Sequence, residues 1–223
     1  PDSIRAECEA SLQRLGVETI DLYQMHWPQP DEDIETGWET MAQLQQEGKV
    51  RQIGVSNFSV AQLERVQSVS PVASLQPPYN MLQSSAEEQL LPYCARARVG
   101  VVVYSPMARG LLTGAFDAAR VAGLDATDHR GRMPDFQPPR LGIHLQLVDR
   151  LRELAAAADR SVAQLAIAWV LRRSEVTSAI VGARRPQQIE QTAAAADWTL
   201  SPEEIAAIDA CRADHATALA KLS

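Results

Sequence analysis

The sequence predicts an α/β fold built on a parallel sheet. Short β-type apolar runs alternate with stretches of helical periodicity along the chain, which is how βα units read. The run 100–105 (GVVVYS) is continuously apolar up to its last residues, as suits a strand buried on both faces. The strand ends carry polar and small residues, as the working edge of such a sheet does.

Each element has a local reason. Residues 2–15 (DSIRAECEASLQRL) set Ile4, Cys8, Ser11, Leu12 and Leu15 on one helical face, and Gly16 stops the helix. A strand is expected over 20–26, then a helix over 35–47 with Trp38, Met41, Ala42 and Leu44 inward and Gly48 at its end. The next strand is 53–56. Ser59 and Gln62 form a capping box that opens a helix running to residue 69. A short strand over 73–76, a helix over 86–97 and the strand 100–105 follow.

The segment 106–142, which contains RGRMPDFQPPRLG, has little periodicity and is long for a connection inside a compact domain. It reads as a lid or binding loop. Helices follow over 143–158 and 161–173, the second opened by the capping box Ser161 to Gln164. A strand is expected over 178–181 (SAIV), a helix over 186–196 with Pro186 in its first turn, and a last helix from the box Ser201 to Glu204. Five strands, each followed by a helix, thus come after an opening helix with no strand before it. That order is expected of a (β/α)8 TIM-type barrel lacking roughly its first three strands: one domain over 1–223, N-terminally incomplete.

Composition removes several functions. The chain has 21 basic and 28 acidic residues, a net charge of −7, and no basic run, so no nucleic-acid partner is expected. Cys8, Cys94 and Cys211 lie far apart with no ligand spacing, which reads as reduced thiols, no metal and a cytoplasmic location. No run approaches the ~18 apolar residues of a membrane span, and no signal pattern opens the chain. His129, His144 and His215 fall outside the strand ends and read as surface or helix-packing residues. Tyr23, Trp38, Trp169 and Trp198 read as packing.

At the strand ends stand His26-Trp27, Ser56-Asn57, Gln76, Tyr104-Ser105 and Gly182-Ala183-Arg184-Arg185. With the stretches RLGVETIDLYQMHWP, QEGKVRQIGVSNF, LQPPYN, VVVYSPMARGLLTG, VAQLAIAWVL and AIVGARRPQQIEQ, they make the sequence resemble the aldo-keto reductase family across nearly its whole length. The resemblance implies a (β/α)8 barrel that binds a nicotinamide cofactor without a GxGxxG fingerprint, and reduction of an aldehyde or ketone.

The resemblance also assigns roles. His26 matches the histidine that orients or polarises the substrate carbonyl, a role a ring N–H at a strand end can fill. Trp27 matches an aromatic wall of the substrate pocket. Ser56, Asn57 and Gln76 match the groups on the nicotinamide carboxamide, which needs both donors and acceptors. Tyr104 matches the aromatic stacked on the nicotinamide ring. Ser105, Met107, Arg109 and Leu111 match the loop over the pyrophosphate, and Gly182, Arg184 and Gln188 the adenosine end. Arg184 and Arg185 precede a helix N-terminus, so a phosphate there is expected to meet two guanidinium groups and free amides. This favours NADP over NAD. Thr192 stands where relatives often carry Asn, which weakens the adenine anchor.

The family's catalytic aspartate, tyrosine and lysine match no residue here. The resemblance therefore implies that this chain alone lacks its proton donor and is inactive. A non-catalytic cofactor-binding or regulatory protein is the alternative reading, and a barrel enzyme acting on phosphorylated substrates a third. The sequence does not fix the carbonyl substrate or the oligomeric state.

Overall fold

The computed structural model describes residues 1–222. Its packing falls into two compact units. The first comprises Pro1–Pro78, Ser85–Val103 and Glu175–Ser178; the second comprises Tyr79–Ser84, Tyr104–Ser174 and the chain from Ala179 onward.

The first unit carries the sheet. Its elements are α1 (Asp2–Leu15), β1 (Ile20–Met25), α2 (Ile34–Gln46), β2 (Val50–Ser56), α3 (Val60–Gln67), β3 (Ser74–Gln76), α4 (Leu90–Ala97) and β4 (Gly100–Val103), with β5 (Val176–Ala179) joining from later in the chain. The strands lie in the order β1-β2-β3-β4-β5, and β1 through β4 pair parallel. Gly16 ends α1 at φ 66, with its N–H returned to Leu12 O at 2.9 Å. That left-handed turn is the reason for glycine there.

Helices α2, α3 and α4 turn Trp38, Met41, Leu44, Leu63, Val66, Leu91 and Cys94 inward against Ile53, Val55, Leu75, Val101 and Val103, all nearly inaccessible. Register sets the level of the polar edge. Met25 pairs with Val55 and Ser56 pairs with Gln76, so His26, Ser56 and Gln76 fall in one row at the carboxyl ends of the strands.

The strand expected over 100–105 ends at Val103, and two others start elsewhere than expected. β2 begins at Val50, three residues before the expected 53, because Val50 is buried beside Ile20, its partner in the ladder. β5 covers 176–179 instead of 178–181: Val176 takes the buried position, and Ile180 leaves the ladder 45% exposed. An apolar run shows that a strand is near; the pairing decides where it stops.

The second unit is helical: α5 (Ala118–Ala122), α6 (Arg140–Ala157), α7 (Val162–Leu171), α8 (Pro186–Ala193) and α9 (Pro202–Ala220). Helix α6 packs on both α7 and α9. Helix α7 is apolar on nearly every side, with Leu165, Ala166, Ile167, Ala168, Trp169 and Val170 all buried, as a central core helix requires. The expected capping boxes form at Ser59/Gln62, Ser161/Gln164 and Ser201/Glu204. Among the described residues, no single helix is long and apolar enough to cross a membrane.

The segment 106–142 is more ordered than its lack of periodicity implies. It folds into 3-10 turns at Ala108–Thr113, His129–Arg132 and Pro134–Phe136 with α5 between them, and α6 begins at Arg140. Asp117 and Asp128 cap two of these pieces by accepting from Arg120 N at 2.7 Å and Arg130 N at 3.0 Å. Elements this short show no periodicity. They are pinned by Phe116 and Phe136, which meet edge to face at 5.6 Å and are both buried.

Candidate functional site

In the first unit the carboxyl row is joined by side-chain amides and hydroxyls. Gln24 Nε2 donates to Ser74 Oγ at 3.1 Å, and Gln76 Nε2 donates to Gln24 Oε1 at 2.9 Å. Ser56, 4% exposed, donates from Oγ to Gln76 O at 2.7 Å. Asn57, the first residue beyond β2, turns the chain at φ 65. Its Nδ2 donates to His26 O at 3.0 Å and to Ser56 Oγ at 3.1 Å, tying the end of β2 to the residue after β1. His26 and Trp27 are exposed, and their rings stack at 5.7 Å between centroids. Thus His26, Ser56, Asn57 and Gln76 form one connected edge, with Trp27 beside it.

Close approach of the strands supports this edge. A Cβ at Gly54 would lie 2.8 Å from Ser74 O and closer still to Ser74 Oγ. Only glycine lets β2 and β3 sit near enough for Ser74 to meet Gln24.

In the second unit a cleft of about 630 Å³ is lined by Tyr104, Ser105, Met107, Arg109, Gly182, Arg184 and Gln188, seven of the residues expected around a cofactor. No carboxylate is among its lining residues. The backbone after Tyr104 is strained, with positive φ at Ser105 (55), Ala108 (46), Arg109 (55) and Gly110 (106). The amides of Ala108 and Gly110 donate within this turn, to Ser105 O and Met107 O at 2.9 Å each. Burial pushes the Tyr104 hydroxyl pKa up, opposed by the nearby charge of Arg109.

Two expectations change here. Leu111 is 1% exposed and does not line the cleft, so its side chain is core and only its backbone can serve a ligand. The amides before α8 are not free: Gln188 Oε1 accepts from Arg184 N at 2.8 Å and from Arg185 N at 3.1 Å. These two amides are taken from within the helix that follows them. Thr192 Oγ1 donates to Gln188 O at 2.8 Å, a bond along its own helix.

The model of the Aldo/keto reductase family matches residues 1–213. The chain belongs to that family. It is 40% identical over 199 residues to the aldo-keto reductase YhdN of Bacillus subtilis, covering 89% of this chain and 60% of that protein. It is 33% identical over 211 residues to the aldo-keto reductase str7 of Strobilurus tenacellus, covering 93% and 62%. Among solved structures, the glycerol dehydrogenase AKR11B4 from Gluconobacter oxydans superposes with a TM-score of 0.88 at 39% identity, over 95% of this chain and 64% of that one. The thermostable aldo-keto reductase Tm1743, solved with the inhibitor epalrestat, gives 0.73 at 27% identity, over 94% and 66%. The chain therefore spans about three fifths to two thirds of the length of these aldo/keto reductases.

Sequence reasoning missed three parts of this aldo/keto reductase chain. Gln24 and Ser74 are the support beneath Gln76, and their spacing in sequence gives no sign of it. Phe116, Arg120 and Arg130, given no individual roles within the segment read as a lid or binding loop, line the cleft. The reading of His144 and His215 as surface or helix-packing residues resolves to packing, since both are buried, but their bond to each other, Nδ1 to Nε2 at 2.9 Å, was missed.

Proposed function

We propose that the chain binds NADPH and presents a carbonyl-facing histidine, as part of an enzyme that reduces an aldehyde or ketone to an alcohol. Its five strands are read as part of the family's eight-stranded (β/α) barrel. The observation that carries this is the level row of His26, Ser56 and Gln76, bridged by Asn57.

The residues fit the cofactor by their chemistry. A carboxamide is both donor and acceptor, and Ser56, Asn57 and Gln76 supply both kinds of group. Tyr104 offers a ring face to the nicotinamide. The strained turn from Ser105, with Met107, Arg109 and the Leu111 backbone, suits a pyrophosphate. Gly182, Arg184 and Gln188 serve the adenosine end. With the α8 amides taken by Gln188, preference for NADP over NAD rests on the Arg184 guanidinium meeting a 2′-phosphate. The chemistry a bound nicotinamide would supply is the hydride that reduces the carbonyl carbon. A His26 ring N–H donates to the carbonyl oxygen as negative charge grows on it, and Trp27 walls the substrate from solvent.

The proton that completes the alcohol is a different matter. The chain has two lysines, Lys49 and Lys221. Lys49 immediately precedes β2, at the opposite end from Ser56, and is paired with Glu9 at 2.7 Å and Glu47 at 3.5 Å. Among the described residues no lysine stands beside a tyrosine at the carboxyl row, so this stretch of chain supplies no carrier of its own for a step normally worth ~10²–10⁴-fold. The 223-residue polypeptide by itself is expected to bind NADPH without turning over. The test is NADPH titration by tryptophan fluorescence, followed by a carbonyl panel. The glycerol dehydrogenase among its structural neighbours argues for including glyceraldehyde and dihydroxyacetone. Failure to bind NADPH sinks the reading; turnover above background sinks the expectation of inactivity.

A further inference from the structure

Three guanidinium groups line the second unit's cleft without a carboxylate partner among the described residues: Arg109, Arg120 and Arg184. In a chain of net charge −7, three such cations in one concavity, with no acid on its walls, mark a place for a polyanion. Arg109 and Arg184 already have roles there. Arg120 does not.

Its setting is built. Arg120 Nη1 donates to Ala115 O at 2.8 Å, and its Cζ lies 4.7 Å from the centre of the Phe116 ring. Arg130 approaches the same ring at 5.1 Å. Phe116 is 6% exposed and locked against Phe136, so it is a fixed platform. Two cations on one ring would repel, and Asp128 relieves this by accepting from Arg130 Nε at 2.9 Å and from its Nη2. That ion pair pulls the Asp128 carboxyl far below the usual carboxylate range. Arg130 Nη1 also reaches Arg109 O at 3.4 Å. Gly110 abuts the platform: a Cβ there would come within 2.8 Å of Phe116 Cε2. The ring bearing Arg120 is thus pressed on the turn that carries Arg109.

We infer that Arg120 is a ligand of the cofactor's pyrophosphate, held on the Phe116 ring with Arg130 and Asp128 as positioning residues, so that the segment 113–130 belongs to the cofactor cleft. This rests on the NADPH reading above and assigns that site a residue that no family stretch supplies. The ring and the Ala115 carbonyl keep the guanidinium from wandering, which lowers the ordering cost when a phosphate arrives.

The test uses the full chain and three probes: NADPH, NADH and adenosine 2′-monophosphate. Arg120→Gln is expected to weaken NADPH and NADH alike, by roughly ten- to a hundred-fold. Adenosine 2′-monophosphate, which has neither phosphate of the pyrophosphate, should bind the variant as it binds the parent. Arg120→Lys should recover part of the loss. Arg120 is exposed on a short helix, so the variants should melt like the parent. Parent-like NADPH binding by Arg120→Gln overturns the inference alone. Loss of NADPH and adenosine 2′-monophosphate with NADH spared overturns it in favour of a 2′-phosphate contact. A parent chain that binds none of the probes overturns the NADPH reading and the inference with it.

Discussion

His144 Nδ1 and His215 Nε2 lie 2.9 Å apart in the interior of the second unit, joining α6 to α9, and His144 Nε2 reaches Asp135 Oδ1 at 3.3 Å. The bond between the rings needs one nitrogen without a proton, so two imidazolium ions cannot make it.

That geometry sets a pH dependence. Burial is the main cause lowering both pKa values; His144, Arg212 and Arg140 push His215 down further, to about 4, while Asp135 partly opposes the shift at both rings. Because the folded values lie below the ordinary histidine value of about 6.5, the unfolded chain takes up protons first as pH falls. The stability is complete above that value and drains as pH falls below it, for His215 between about 6.5 and 4 by up to about 1.4 kcal/mol per pH unit, and His144 adds to the loss in the same direction. Urea midpoints at pH 7.5 and 5.0 should differ accordingly, and His215→Gln should flatten the dependence. Equal midpoints for the parent protein would refute it.

Gly54 predicts a steric effect. Gly54→Ala should cost about 1–3 kcal/mol and detach Ser74 from Gln24. Adding Ser74→Ala should not rescue it, because the Ser74 carbonyl is itself only 2.8 Å from the new methyl. Full rescue in urea melts would show that the side chain alone was the obstacle.

Asn57 combines a backbone and a ligand role, and two substitutions separate them. Asn57→Gly keeps the left-handed turn at φ 65; Asn57→Ala should be less stable than it by about 1 kcal/mol. Both should weaken NADPH binding about tenfold through the lost amide. Identical stability of the two variants would remove the backbone part of this account.

The capping box of α7 gives a stability prediction. Ser161 Oγ accepts from Gln164 N at 3.2 Å, and Gln164 Oε1 accepts from Ser161 N at 2.9 Å. Ser161→Ala should cost about 1 kcal/mol and Ser161→Asp only a few tenths. Thermal melts of the two would reverse this order if the cap were idle.

How much of this was legible depends on range. The caps at Ser59, Ser161 and Ser201 could be read because each lies within four consecutive residues. The strand-end residues were found because family stretches fall on them; their bonds to Gln24 and Ser74 cross strands and left no mark in the sequence. β5 was displaced by two residues because apolar content does not record where a ladder stops. His144 and His215 are 71 positions apart and sit on separate helices, so no periodicity joins them. Arg120 lies on a helix of five residues, too short to have a face.

The sheet's own order has a consequence for synthesis. Strands β1 to β4 leave the ribosome in the order in which they pair, so each finds its neighbour already waiting. β5 does not, since all of Tyr104–Ser174 must be made before Glu175–Ser178 can join the first unit. Throughout that interval the outer edge of β4 is bare backbone beside apolar side chains, a surface that invites pairing with a stranger. The nascent chain should be most vulnerable to aggregation, and most dependent on chaperones, while Tyr104–Ser174 is being translated.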